Sequence, residues 1–134
     1  MDVFHATPGI SIVLHEGPSL PVLADREHLL RVFNNLLKNA VQSIPEGREG
    51  RIDVRLQEET GHALATVTDN GSGIPASIHD RIFTPSFTTK SSGMGLGLAM
   101  VKRIVEQAGG SVRFESSEEG GTTFFVMLPL ASVR

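Results

Sequence analysis

The sequence contains no cysteine, and none of its apolar runs is long enough to cross a membrane. Without thiols the chain has no disulfide framework and no thiolate chemistry, which fits a cytoplasmic location. The N-terminus also lacks a basic segment followed by an apolar one, which is the pattern of a secretory signal. We therefore expect a cytoplasmic chain that makes no membrane contact of its own.

The chain also has no large excess of charge of either sign, since its formal net charge is −3 at pH 7. This weak negative balance argues against a nucleic-acid partner. The chain has 134 residues, of which 40% are apolar, as is usual for one globular domain with its own core. We expect a single domain over residues 1–134, monomeric when isolated, without internal repeats or linkers.

Two polar motifs stand out in what the sequence does contain. Asn35 and Asn39 are four residues apart in an apolar helical pattern, which places both on one helix face. Asp69 ends a strand-like run and opens a tight turn that includes Gly71 and Gly73. Taken singly, an asparagine pair is better explained as a solvated helix face, and Asp-Asn-Gly is common as an ordinary turn.

A third motif is the glycine-dense run from Gly93 to Gly97, which opens a helical pattern shortly after Lys90. Glycines let backbone N–H groups approach an anion closely, and a helix N-terminus adds a positive dipole end. The run therefore indicates a phosphate-binding loop. A flexible loop closed by a helix, with Lys90 as a surface lysine, is the alternative for this segment alone.

Taken in order, these motifs resemble the N, G1, F and G2 boxes of the catalytic, ATP-binding domain of sensor histidine kinases, a group related to gyrase and the large heat-shock chaperone. The similar segments are residues 35–42, 69–73, 82–87 and 93–97, with a final G-T-x-F element at 121–124. The resemblance spans about Leu20 to Pro129. Within it, the sequence of residues 87–97 looks closest to that of nitrogen-regulation-type sensor kinases.

The periodicity of the sequence predicts a two-layer α/β sandwich, a mixed and mostly antiparallel sheet with about three helices on one face. The resemblance names this the Bergerat-type ATP-binding fold. One helix begins at the N-cap Asp25 and ends near Ile44. The other predicted elements are short helix 76–83, helix 96–108, a mobile lid at 84–94, and strands 10–14, 51–56, 64–69, 111–115 and 122–128.

The resemblance implies ATP and Mg²⁺ as cofactors. Asn39 is the expected Mg²⁺ ligand, because a neutral amide oxygen suits a hard cation, and Asn35 would contact phosphate or metal-bound water. Asp69 would accept a hydrogen bond from the exocyclic amine of adenine. Lys90 would meet the β- or γ-phosphate. The other expected nucleotide-binding residues are Lys38, Gln42, Gly71, Gly73, Ile74, Thr89, Gly93, Gly95, Leu96, Gly97, Leu98, Thr122 and Thr123.

Three residues depart from the family pattern. Met94 stands where many relatives have threonine, Ser86 where many have phenylalanine, and Gln42 where lysine is frequent. These changes put in doubt one hydroxyl contact, the anchoring of the lid and one charge contact with phosphate. Ile74 and Leu98 are expected as apolar walls of the pocket, although each is equally compatible with the plain core.

The sequence shows no general base for hydrolysis, no phosphoacceptor helix and no histidine metal site. Asn35 occupies the place where ATP-hydrolysing relatives carry a glutamate base, so we expect ATP to be held rather than hydrolysed. His15 and Glu16 are superficially similar to a phosphoacceptor motif, but Gly17 and Pro18 would break a helix there. The five histidines show no helical pairing, which argues against a metal site among them.

We interpret the chain as the catalytic domain of a sensor histidine kinase, with no certain catalytic residue of its own. It would donate the γ-phosphoryl of ATP to a histidine on a separate dimerisation domain in two-component signalling. Expected partners are ATP, that phosphoacceptor domain and a downstream response regulator, in a parent that is either soluble or membrane-anchored. An anti-sigma-type serine kinase and a non-catalytic nucleotide-sensing module are the alternatives.

Overall fold

The computed structural model of the chain describes residues 2–85, 94–117 and 119–131. A six-stranded sheet has the order β1-β2-β3-β4-β6-β5, and its neighbouring strands are antiparallel except for the parallel pair β2 and β3. The elements are β1 Asp2–Thr7, β2 Ile10–Leu14, α1 Arg26–Ser43, β3 Gly50–Glu59, β4 His62–Asp69, α2 Met94–Gln107, β5 Ser111–Ser117 and β6 Gly121–Pro129.

Helix α1 begins and ends where the sequence predicts. The Asp25 side chain accepts hydrogen bonds from the backbone amides of Glu27 at 2.8 Å and His28 at 3.3 Å, which is N-cap geometry. The helix ends at Ser43, and Ile44 is already extended. Its apolar stripe is buried through Val32, Leu36 and Ala40. Both asparagines of the first motif are therefore carried on a helix that is fixed to the core.

The core lies between one face of the sheet and the two helices. Inward-facing residues of the central strands, such as Ile52, Val67 and Phe124, pack against Leu36 of α1 and Val101 of α2. Alternate residues of each strand point to opposite faces, so the neighbours of these residues lie on the other side of the sheet. Each of these large side chains contributes about 1.5–3 kcal/mol through burial. The predicted two-layer α/β sandwich is confirmed.

The prediction of about three helices is wrong for the described residues, which contain two α-helices. Segment 76–83 instead forms the single 3₁₀ turn Ala76–Ile78 followed by further turns. Its backbone hydrogen bonds span three residues, as from the amide of Arg81 to the carbonyl of Ile78 at 2.9 Å. The chain tightens here because Phe83 packs edge-on against two rings of the sheet, Phe114 and Phe124.

Other boundaries differ in smaller ways. Strand β1 was not predicted at all, β3 and β4 extend beyond the predicted ranges, and α2 begins two residues earlier than expected. Most of the predicted lid, residues 86–93, lies outside the described residues. Among the described residues, no helix is both long and apolar enough to span a membrane.

Candidate functional site

Asn35 of α1 lies where that helix meets the first turn of α2. Asn35 donates from Nδ2 to the carbonyl of Arg31 at 2.8 Å, which turns its Oδ1 toward α2. A β-carbon on Gly97 would lie 2.5 Å from this Oδ1, so only glycine allows the contact as it stands. Asn39 is half-buried one turn further along, and Lys38 beside it is exposed. The structure therefore brings the first and third motifs together.

Asp69 is the last residue of β4 and is only 3% exposed. Its Oδ1 accepts a hydrogen bond from the amide of Gly71 at 2.8 Å. Burial raises the pKa of this carboxyl above its ordinary value, although hydrogen bonds from the Gly71 amide, the Ser43 hydroxyl and the Thr122 amide oppose the rise. A buried carboxylate of this kind is well placed to accept a hydrogen bond from a ligand that enters the site.

The turn after Asp69 is fixed to the C-terminal end of α1. The backbone amide of Ser72 donates to the carbonyl of Ser43 at 3.0 Å. A β-carbon on Gly71 would come within 2.5 Å of the same carbonyl, so glycine is required by close approach. Gly73 is required for another reason, because its φ of 78° lies in the left-handed region. The two glycines of the motif thus have distinct structural roles.

The same turn is also tied to the far edge of the sheet. The amide of Ile74 donates to the Ser116 hydroxyl at 2.7 Å, and that hydroxyl lies 2.8 Å from the hydroxyl of Thr122. Thr122 is 3% exposed and pairs with Asp69 across β4 and β6. Ser43 and Ser116 were missed in the sequence, which offers no local signal for contacts between segments so far apart in the chain.

Not every expected residue joins this arrangement. Thr123 follows Thr122 and faces the opposite side of the sheet, where its hydroxyl lies 3.0 Å from that of Thr68. Leu98 is buried in the core, and Ile74 packs against the core as well. Gln42 is half-buried on α1. Gly95 and Leu96 lie in the first turn of α2 with Met94, whereas Ser86, Thr89, Lys90 and Gly93 lie outside the described residues.

The arrangement offers the Asn35 amide oxygen beside the first turn of α2, and the Asp69 carboxylate in the turn that packs on the end of α1. Within residues 2–85, 94–117 and 119–131, no group of three or more His, Cys, Asp or Glu side chains could hold a metal ion. A divalent cation would therefore depend on an amide oxygen such as that of Asn39 together with charges supplied by a ligand. These features suit a polyanionic ligand that carries a hydrogen-bond donor for Asp69.

Comparison with known proteins gives one family and several relatives. Residues 24–132 match the family described as histidine kinase-, DNA gyrase B-, and HSP90-like ATPase. The chain is 46% identical over 113 residues to the sensor histidine kinase ZraS of Escherichia coli (strain K12), a match that covers 84% of this chain and 24% of that protein. The chain thus spans about a quarter of the length of this curated relative.

Solved structures agree with this assignment. A mycobacterial sensor histidine kinase, MprB, is 33% identical with a TM-score of 0.79, covering 93% of this chain and 86% of that one. Full-length ShkA in complex with AMPPNP is 28% identical with a TM-score of 0.79, covering 93% of this chain and 26% of that one. Since the family match takes in α1, the Asp69 turn, α2 and the last two strands, the chain belongs to the histidine kinase-, DNA gyrase B- and HSP90-like ATPases.

Proposed function

We propose that this chain is the ATP-binding catalytic domain of a sensor histidine kinase, of the nitrogen-regulation type. The observation that carries the proposal is the buried Asp69 carboxylate, in a turn that packs on the end of α1, the helix whose Asn35 meets the first turn of α2. Its similarity to ZraS and MprB, both named sensor histidine kinases, favours the same activity here. The assignment to the nitrogen-regulation type rests on the amino-acid sequence of residues 87–97.

Adenine is the base that Asp69 fits best. An ionised carboxylate only accepts hydrogen bonds, so it favours the exocyclic amine of adenine over the carbonyl of guanine. We expect the domain to bind ATP and ADP in preference to GTP. Asp69→Asn would weaken ATP binding by roughly 1–3 kcal/mol, the range for a lost charged hydrogen bond. Calorimetric titration that gives equal affinities for ATP and GTP would contradict the assignment.

Phosphate and metal would lie between α1 and the start of α2. We propose that Asn39 ligates Mg²⁺ and that Asn35, fixed by its contacts with Arg31 and Gly97, faces the phosphates. Bound Mg²⁺ would neutralise charge on the ATP phosphates. Lys90 and the amides of the glycine run, together with the other residues expected from the sequence, would complete the site. Asn35 cannot act as a general base, so rapid hydrolysis is not expected.

The role of Asn39 can be tested separately. We expect Asn39→Ala to remove most of the Mg²⁺-dependent strengthening of ATP binding while the fold stays intact, because truncation of one polar helix residue costs little stability. Asn34→Ala is the matched control, since Asn34 is exposed on the same helix. Titrations with and without Mg²⁺, with circular dichroism as the check on folding, compare the two variants. Unchanged magnesium dependence in Asn39→Ala would place the ligand elsewhere.

Phosphoryl transfer needs a second domain, and we infer that a groove among the described residues receives it. A groove between α2 and the turn after residue 80 has apolar walls at Phe83, Pro85 and Ala99, with Lys102 and Arg103 at its side. It continues along α2 from the turn that carries Gly97. We propose that the phosphoacceptor domain of the parent kinase docks there, which would bring its histidine near the γ-phosphate.

The central experiment uses γ-labelled ATP. The chain alone should bind ATP without rapid hydrolysis or self-labelling, and it should label a supplied dimerisation and phosphoacceptor domain in trans. The label should be acid-labile, as expected of phosphohistidine. Acid-stable labelling of a serine would instead favour the anti-sigma type of kinase. Binding without any transfer to a cognate acceptor would favour a nucleotide-sensing module, and fast hydrolysis by the chain alone would favour an ATPase.

A further inference from the structure

The turn that follows Asp69 ends at Ile74, whose backbone is held by side chains at both its amide and its carbonyl. The Ile74 amide donates to the Ser116 hydroxyl at 2.7 Å. The Ile74 carbonyl accepts a hydrogen bond from Nε2 of His79, also at 2.7 Å. Both distances lie at the short end of the usual range for a nitrogen donor and an oxygen acceptor. The end of the turn is therefore fixed by two side chains that belong to other parts of the fold.

His79 acts as the donor in its contact with this carbonyl. A carbonyl oxygen only accepts hydrogen bonds, so Nε2 of His79 carries a proton. A neutral imidazole protonated at Nε2 and a charged imidazolium both provide this proton, and the contact is compatible with either form. The ring itself is held in place, because it packs edge-on against Phe114 with the ring centroids 4.8 Å apart. The Ile74 carbonyl thus has a donor whose position the fold sets.

Ser116 connects the Ile74 amide to the strand beside Asp69. Its hydroxyl lies 2.8 Å from the Thr122 hydroxyl and 3.3 Å from the Gly121 carbonyl. Because the Ile74 amide supplies its own proton, the proton of the Ser116 hydroxyl is available to one of these two groups. Thr122 is also the residue that pairs with Asp69 across β4 and β6. The two ends of the turn, Asp69 and Ile74, are thus joined through the same residue of β6.

The path of the backbone between these two ends determines where the Asp69 carboxylate points. The Gly71 amide, inside the turn, donates to Oδ1 of Asp69 at 2.8 Å and so orients the carboxylate. Gly73 precedes Ile74 and has a φ of 78°, in a region where glycine has wide freedom. The fixed Ile74 carbonyl limits that freedom. A change at His79 would therefore reach the Asp69 carboxylate through the backbone of the turn.

We propose that His79 is a positioning residue of the nucleotide site, which keeps the turn after Asp69 in the shape that receives adenine by donating from Nε2 to the Ile74 carbonyl. The inference rests on the proposed ATP-binding function. His79 acts through Ile74 and makes no contact with the nucleotide itself. Loss of its donor weakens the contribution of the base to binding. The contribution of the phosphates, which would lie between α1 and the start of α2, stays as it is.

The test compares His79→Phe with His79→Gln. Phenylalanine keeps a ring that can pack on Phe114 but has no donor, whereas glutamine offers amide protons to the Ile74 carbonyl and has no ring. His62→Phe is the matched control, because Nδ1 of His62 lies 3.0 Å from the Thr60 carbonyl at the opposite end of β4. Calorimetry with Mg²⁺ present gives the affinities of the whole chain for ATP, GTP and inorganic triphosphate. Thermal unfolding confirms that each variant folds.

We expect His79→Phe to weaken ATP binding about three- to tenfold, as for one lost hydrogen bond, and to leave the affinity for inorganic triphosphate unchanged. His79→Gln should restore most of the ATP affinity, which general loosening of the packing would not do. His62→Phe should match the unchanged protein.

Three results would refute the role of His79 and leave the proposed function standing, provided that the unchanged protein prefers ATP to GTP. They are unchanged ATP binding in His79→Phe, an equal loss of affinity for ATP and triphosphate, and no recovery in His79→Gln. If the unchanged protein binds ATP no better than GTP, the role of His79 and the proposed function fail together.

Discussion

Asp69 places a charge where the protein interior disfavours it. Because burial raises the pKa of this carboxyl, the folded chain binds a proton more readily than the unfolded chain between the ordinary pKa and the raised one. The free energy of unfolding should therefore fall as pH rises through that window, and the whole cost is present above the native pKa. Asp69 thus lowers the stability of the nucleotide-free domain above its native pKa.

Replacement of Asp69 by asparagine makes this cost measurable. We expect the stability of Asp69→Asn relative to the unchanged protein to increase as pH rises from about 4 toward neutrality, because only the unchanged protein must ionise a buried group. Urea denaturation of the nucleotide-free proteins at a series of pH values gives the comparison. Parallel stability curves for the two proteins would show that burial does not govern this carboxyl.

Gly97 and Asn35 form a pair that a double-mutant cycle can examine. Alanine at Gly97 would add helix propensity worth up to about 1 kcal/mol. Its β-carbon, however, would lie only 2.5 Å from Oδ1 of Asn35 and would push that side chain aside. We expect Gly97→Ala to stabilise the Asn35→Ala variant more than it stabilises the unchanged protein, with a coupling of about 0.5–1 kcal/mol. Urea denaturation of the four proteins measures the coupling. Equal effects in both backgrounds would mean that the contact carries no strain.

The central residues of the proposed site could be selected from the sequence because each belongs to a local motif. Asp69 and Gly71 come from one turn, and Asn35 and Asn39 from one helix face. Ser43 could not be found in this way, since its contact with Ser72 joins residues 29 positions apart. The placement of such a residue depends on how the end of α1 packs against the sheet, which no local pattern contains.

Among the helices and strands, α1 carries the clearest local signal. Asp25→Ala should destabilise the domain by about 1 kcal/mol, because two amides of the first turn lose their acceptor. Asp80→Ala is the matched control, since the side chain of Asp80 is 85% exposed and caps no helix. Thermal unfolding compares the two variants. A similar loss of stability in both would indicate a general charge effect in place of capping.

The element predictions that failed share a physical cause. Segment 76–83 has an apolar spacing compatible with a helix, but its conformation follows from docking of Phe83 on the aromatic rings of the sheet. Strand β1 gains its structure from pairing with β2, because Val3 and Phe4 are about half exposed and form no part of the core. Long-range contacts determine the conformation of both segments, whereas the apolar periodicity of the sequence predicts α1 and α2.

In the stability of the whole molecule, a second carboxylate has a pH dependence opposite to that of Asp69. Asp53 on β3 lies 2.6 Å from Nε2 of His15 and 3.0 Å from Nη2 of Arg51. Burial raises the pKa of Asp53, but the hydrogen bonds and charges of Arg51 and His15 outweigh it, so the pKa lies below its ordinary value. This carboxylate therefore stabilises the fold above its unfolded pKa, and the contribution is lost as pH falls through the native pKa.

We expect Asp53→Asn to lower the free energy of unfolding by about 0.5–1 kcal/mol near neutral pH, after allowance for solvent screening of the exposed Arg51. The difference should disappear in acid. Glu115→Gln is the control, because Glu115 also pairs with an arginine two residues away on a strand but is 73% exposed. Urea titrations across the acid range measure both. An equal loss in the control, or a loss that persists in acid, would refute the linkage.

The placement of β2 has a consequence for how the domain can be shortened. The family match begins at residue 24, after β1 and β2, yet β2 pairs with β3 from Ile10 to Leu14 and buries Val13. A protein trimmed to the match would retain Asn39 and Asp69 and would leave β3 as a bare edge, open to strand addition from other copies. Such a protein should precipitate on expression, because β1 and β2 cover this edge in the longer chain.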